Sequence, residues 1–182
     1  MTFLKKRFVS LLSLFPLLAA SPLIASASHP SVRGALSVTS PDFGYGMRMP
    51  SESAQKNGNR PPTLVISNIP PETRSLAIQM VDPDNPAGVW IHWLAANISP
   101  SVHILTATDL PTGIVIGTND FGNCQYDGPS PPLGTHHYLI HIFALDAMLN
   151  LKSGFNYRKL ENVMWGHILQ RSTLMGTFSQ NL

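Results

Sequence analysis

The chain has little charge and almost no cysteine. Only 12% of its 182 residues are Asp, Glu, Lys or Arg, which excludes a disordered polyelectrolyte. A single cysteine, Cys124, excludes an internal disulfide, and such a thiol is expected to be an inert, packed side chain. Beyond the first thirty residues no long apolar run occurs, so no membrane span is expected. There is no HExxH and no Cys/His pairing at ligand spacing, so neither a metal nor another cofactor is expected. The GxSxG elbow of serine hydrolases is missing too, as are internal repeats, heptads and low-complexity tracts.

What is present begins with a leader. "MTFLKKR" is a basic segment, "FVSLLSLFPLLAA" an apolar one, and "SPLIASA" ends in the small-x-small pattern of a cleavage site. Residues 1–27 therefore read as a signal peptide and 28–182 as a single domain, exported to the periplasm or secreted. Removing Lys5, Lys6 and Arg7 reduces the 12 basic residues to 9 against 10 acidic ones, a formal charge of −1. No basic stripe remains to neutralise phosphates along a duplex, so nucleic acid is not an expected partner.

Hydrophobic residues make up 43% of the chain, enough for one core, and 16 prolines and 13 glycines are spread along it. That spread favours many short strands joined by turns. After a strand start and a Lys56–Asn59 turn, strands are expected at 63–69, 74–82, 88–98, 113–122 and 135–146, with a short last one at 172–178. Leu76, Ile78 and Met80 should face one way, Ala77, Gln79 and Val81 the other. Trp90, His92, Leu94 and Ala96 should share a face, and 135–146 reads as a central strand covered on both faces. Leu160, Val163, Met164, His167 and Ile168 fit one helical stripe, with Asn156 as N-cap. The expected architecture is a two-sheet antiparallel β-sandwich with a small C-terminal helical element.

The chemistry collects at strand ends. Asp82 and Asp84 lie in "DPDNP", a turn stiffened by Pro83 and Pro86, with Asn85–Pro86 a candidate cis bond. His92, His136 and Tyr138 sit on apolar strand faces. A carboxylate beside an imidazole fixes its tautomer, and Asp82 is expected to orient His92. With amides near Gly128 and Ser130, these groups would line a mouth suited to a small anion. The bland alternatives are satisfied core histidines and a simple tight turn.

The blocks "DPDNP…WIHW", "YDGPSPPLGTHHY", "ALD" and "GHIL…LMGTF" resemble the phosphatidylethanolamine-binding protein family, and more closely its bacterial Raf-kinase-inhibitor-like (YbhB/YbcL-type) branch. The likeness runs from about Ser40 to Phe178. It implies the same sandwich and a pocket for phosphate or phosphorylethanolamine. By the resemblance Asp82, Pro83, Asp84, Pro86, Trp90, His92, Tyr126, Gly128, Ser130, Pro131, His136 and Tyr138 line that pocket. Asn85 and Ser130 depart from the usual alanine and glycine.

The leading expectation is thus a non-enzymatic exported protein that binds a small anion or phospholipid head group, more tightly near pH 6 than near pH 8. The alternatives are an inhibitor-like module acting on a protease, kinase or host factor and, less favoured, a hydrolase using the His/Asp mouth. Exposed sheet edges leave room for a homodimer.

Overall fold

The structure, a computed structural model, describes residues 34–106 and 110–180. The expected leader, 1–27, lies outside the described residues. Among the described residues eight strands occur in the order β1 (Ser37–Thr39), β2 (Leu64–Ser67), β3 (Ser75–Asp82), β4 (Trp90–Ile98), β5 (Ile104–Leu105), β6 (Val115–Ile116), β7 (Thr135–Leu145) and, after helix α1 (Tyr157–Met164), β8 (Ile168–Ser179). They form two antiparallel sheets, ordered β1-β2-β5 and β6-β4-β3-β7-β8. No helix among the described residues is long and apolar enough to cross a membrane.

Period-two alternation places the core. Leu76, Ile78 and Met80 of β3 turn inward, where they pack with Val38, Leu64, Ile66, Tyr138, Ile140 and Ile142 between the sheets. Ala77 and Val81 turn outward and meet Phe143, Leu145, Leu160 and Met164, so α1 covers the far face of the larger sheet. This is the alternation the sequence predicts for β3, which is buried along its whole length.

Three expectations change in detail. On β4, Met80 pairs with Trp93 but Val81 pairs with Ile91, so His92 is the extra residue of a β-bulge. The bulge breaks the alternation: Ile91, Leu94 and Ala96 share the outer face, while Trp93 and Ala95 face inward. The helix stops at Met164 because Trp165 leaves helical geometry and Gly166 takes a positive φ of 82°. His167 is therefore not helical, and Ile168 opens β8, which runs twelve residues rather than the seven expected. Lastly, β7 lies inside the sheet, yet Thr135 and His137 at its start are exposed on the outer face.

Asn156 caps α1 as expected, its side-chain oxygen accepting from the Lys159 amide at 2.9 Å. The start of the described chain is tied to its end. The Leu36 and Val38 amides donate to the side chains of Gln170 and Ser172, and Arg48 bridges Thr177 in parallel.

Candidate functional site

Proline and Asx chemistry build the first corner. Pro83 has no N–H and ends the β3 ladder. The Asp84 amide then donates to Asp82 Oδ1 at 2.8 Å, and the Ala87 amide to Asn85 Oδ1 at 2.9 Å, two Asx turns in succession. The Asn85–Pro86 bond is trans, since no cis peptide occurs among the described residues.

Two adjacent histidines of β7 take up the two carboxylates of that corner. Neighbouring residues on a strand point to opposite faces. His136 points inward and donates from Nδ1 to Asp82 Oδ2 at 2.7 Å. His137 points outward, where Asp84 Oδ2 accepts from its amide at 2.8 Å and from its Nδ1 at 2.6 Å. Those contacts, the His137 amide foremost, hold the Asp84 carboxyl below its usual range.

His92 is not oriented by Asp82. Its Nδ1 donates instead to the Asp127 backbone carbonyl at 2.6 Å, because the bulge aims the ring at the loop between β6 and β7. Burial pushes its pKa down, against the Asp127 carbonyl and the Asp82 charge, which act the other way. The ring stands edge-on to Tyr138 at 5.2 Å and to Phe121 at 5.4 Å, and Phe121 in turn meets Trp90 at 5.5 Å.

Tyr138 is fully buried, and its hydroxyl has no hydrogen-bond partner among the described residues. The Asp82 carboxylate and the Ser130 amide approach it without closing a bond; burial first, then Asp82, raises its pKa well above the phenol range. Asp82, His92, His136 and Tyr138 therefore converge, as the sequence led us to expect. They do so in a close-packed cluster rather than a wide mouth, with exposures of 2, 2, 6 and 0%.

Several expected lining residues serve the frame instead. The Gly128 amide donates to Asn59 Oδ1 at 2.8 Å, so it is not free for a ligand. A Cβ on Gly128 would stand 1.7 Å from the Ser53 carbonyl oxygen, which is why only glycine fits. The Tyr126 hydroxyl donates to the same carbonyl at 3.0 Å. Pro131 is buried and Ser130 half-buried, whereas Pro83 and Pro86 are exposed on the corner. Cys124 is exposed rather than packed. It lies on a separate 260 Å³ cleft with Trp93, Ile116 and Tyr126.

Sequence reasoning missed the group that holds His92. The Asp127 carboxylate accepts side-chain amides from Asn59 (3.1 Å), Asn119 (2.7 Å), Asn123 (2.8 Å) and Gln125 (3.0 Å). Burial acts to raise its pKa, but these donors outweigh it and the net shift is downward. The available signal was compositional: "NDFGNCQYD" sets three amide side chains around one later carboxylate. His137 and Phe121 were missed as well.

The family model described as phosphatidylethanolamine-binding protein matches residues 39–179. A Chlamydia muridarum relative of the UPF0098 group is 40% identical over 152 residues, 80% of this chain and all of the relative. Among solved structures, the phosphatidylethanolamine-binding protein homologue CT736 of Chlamydia trachomatis superposes with a TM-score of 0.77 at 34% identity, covering 81% of this chain and 99% of its own. Escherichia coli YbcL superposes with a TM-score of 0.76 at 27% identity, covering 81% and 100%.

Proposed function

The chain belongs to the phosphatidylethanolamine-binding protein family, and from that premise we propose that it is an exported, non-enzymatic binding protein whose Asp82–His92–His136–Tyr138 cluster takes a small anion such as phosphate or phosphorylethanolamine. The observation that carries the reading is the Tyr138 hydroxyl. A buried polar group without a partner is costly, roughly 1–3 kcal/mol. This one is surrounded by groups that are all held in place by bonds to something else. Asp82 and Asp127 fix the two imidazoles, and an acceptor atom placed against the phenol completes the set. Export rests on the leader pattern at residues 1–27.

Binding is favoured over hydrolysis by the character of the hydroxyl. His136 bonded to Asp82 has the orientation of a general base. The hydroxyl nearest that carboxylate, however, belongs to Tyr138, whose ring packs on His92 and whose pKa is pushed up by burial and by Asp82, so it stays protonated, a donor and not a nucleophile.

Calorimetric titration with phosphate and with phosphorylethanolamine tests the reading. Tyr138→Phe removes one hydrogen bond to a charged group and should weaken binding about ten- to a hundredfold while the fold is retained. Equal affinity in the variant, or no binding by the parent protein, would sink the proposal.

A further inference from the structure

The turn expected at Lys56–Asn59 is present and has a chemistry of its own. Two bonds to one acceptor close it, the Asn57 and Asn59 amides each donating to the Ala54 carbonyl at 3.0 Å. Gly58, between them, takes a positive φ of 102°, and a Cβ there would stand 3.1 Å from the Glu52 carbonyl oxygen. The fold thus demands glycine directly after Asn57. Both residues are exposed. Among the described residues neither the Asn57 side chain nor the Gly58 amide has a hydrogen-bond partner.

These two unbonded groups are reactants. The Gly58 nitrogen can add to the Asn57 side-chain carbonyl carbon and close a succinimide ring. The new C–N bond replaces the bond to the side-chain nitrogen, which leaves as ammonia with the Gly58 hydrogen. Water then opens the ring at either carbonyl, giving aspartate or isoaspartate. No oxidant or other co-reactant is consumed, and the missing glycine side chain leaves the nitrogen open to approach. We propose that Asn57 is a site of spontaneous isoaspartate formation, and that its conversion loosens the Asn59 clamp on the loop that holds His92.

The same chemistry is blocked at its other strong candidate. Asp127–Gly128 is the corresponding acidic pair, but its carboxylate accepts four side-chain amides and the Gly128 amide donates to Asn59 Oδ1 at 2.8 Å. Asn85 precedes a proline, which has no N–H to react. At Asn57 nothing holds either partner back. The consequence follows from the turn. Isoaspartate routes the main chain through the side chain and adds a backbone carbon inside the span that the Asn59–Ala54 bond closes. Asn59 must then move or give up that bond. Its side chain ties together the Tyr126 carbonyl, the Asp127 carboxylate and the Gly128 amide, and the Asp127 carbonyl holds His92. Plain aspartate adds a charge but no backbone atom, so it leaves the clamp in place.

Purified chain held at pH 7.5 and 37 °C, sampled by peptide mapping and by labelling with an isoaspartyl-specific methyltransferase, tests the proposal. The peptide containing Asn57 should gain the mass difference of an acid over an amide, and accept methyl groups, before any other asparagine peptide changes. Asn57→Gln, whose longer side chain disfavours the ring, should stay unconverted. Conversion that begins at another asparagine or at Asp127 overturns the site. The isoaspartyl fraction should then unfold at lower urea than fresh chain, whereas Asn57→Asp should unfold where fresh chain does. Equal midpoints for isoaspartyl and fresh chain overturn the loosening, and so does an Asn57→Asp midpoint as low as that of the isoaspartyl fraction. The mapping and the first comparison need only the parent protein, so they decide the question even if a variant does not fold.

Discussion

His92 couples the fold to acidity. Burial lowers its pKa in the folded chain below the ordinary histidine value of 6.5. The unfolded chain therefore binds a proton that the fold refuses. The stabilisation is present above pH 6.5 and is lost as pH falls from there through the folded value. His141, lowered by burial and by the Arg171 charge, acts in the same direction. Urea denaturation midpoints should fall between pH 7.5 and pH 5.5, and His92→Gln should flatten that slope; an unaltered slope would remove His92 from the account. Asp127 is the other decisive residue. Asp127→Asn sets an amide donor among four others, and urea denaturation should show a loss of about 1–3 kcal/mol or more. Cys124, being exposed, should be modified by a thiol reagent in the native protein without denaturant. Protection until unfolding would contradict its placement. Asp82, His136 and Tyr138 could be read in advance because each sits at a strand end or on a strand face. Asp127 was not, because only its fourth donor, Asn59, is brought in by the fold, while the nearby Asn119, Asn123 and Gln125 read as an ordinary polar turn until their amides are seen to face one carboxylate.

At the scale of elements, periodicity carried β3, β7 and the start of α1, because alternation and helical stripes are direct images of burial. It failed at β4. A bulge leaves no mark in hydrophobicity, so strict alternation put His92 on the face of Leu94, although it is the inserted residue that redirects the ring. It failed again after Met164, where His167 and Ile168 continue the apolar spacing past a backbone that has already turned at Gly166. The helix has two separable supports. Asn156→Ala should cost about 1 kcal/mol, the usual value of a lost cap. Leu160, fully buried against the outer face of the larger sheet, should cost roughly 2–5 kcal/mol on change to alanine. Thermal or urea melts of both variants check the ranking, and a capping loss as large as the core loss would mean that α1 is not held by packing.

For the whole molecule, the two-sheet architecture was readable from turn spacing and family likeness, whereas the length of β8 was not, because only its second half alternates cleanly with burial. That strand also stitches the two sheets together. Leu36 and Val38 are held by Gln170 and Ser172, and Met49 and Gly46 by the backbone at Thr177 and Met175. The first strand, paired with β2 inside the smaller sheet, is thus also fastened across to β8 of the larger one. Shortening β8 from its second half would therefore do more than narrow one sheet: it would unfasten the edge at which the two sheets are stitched to each other.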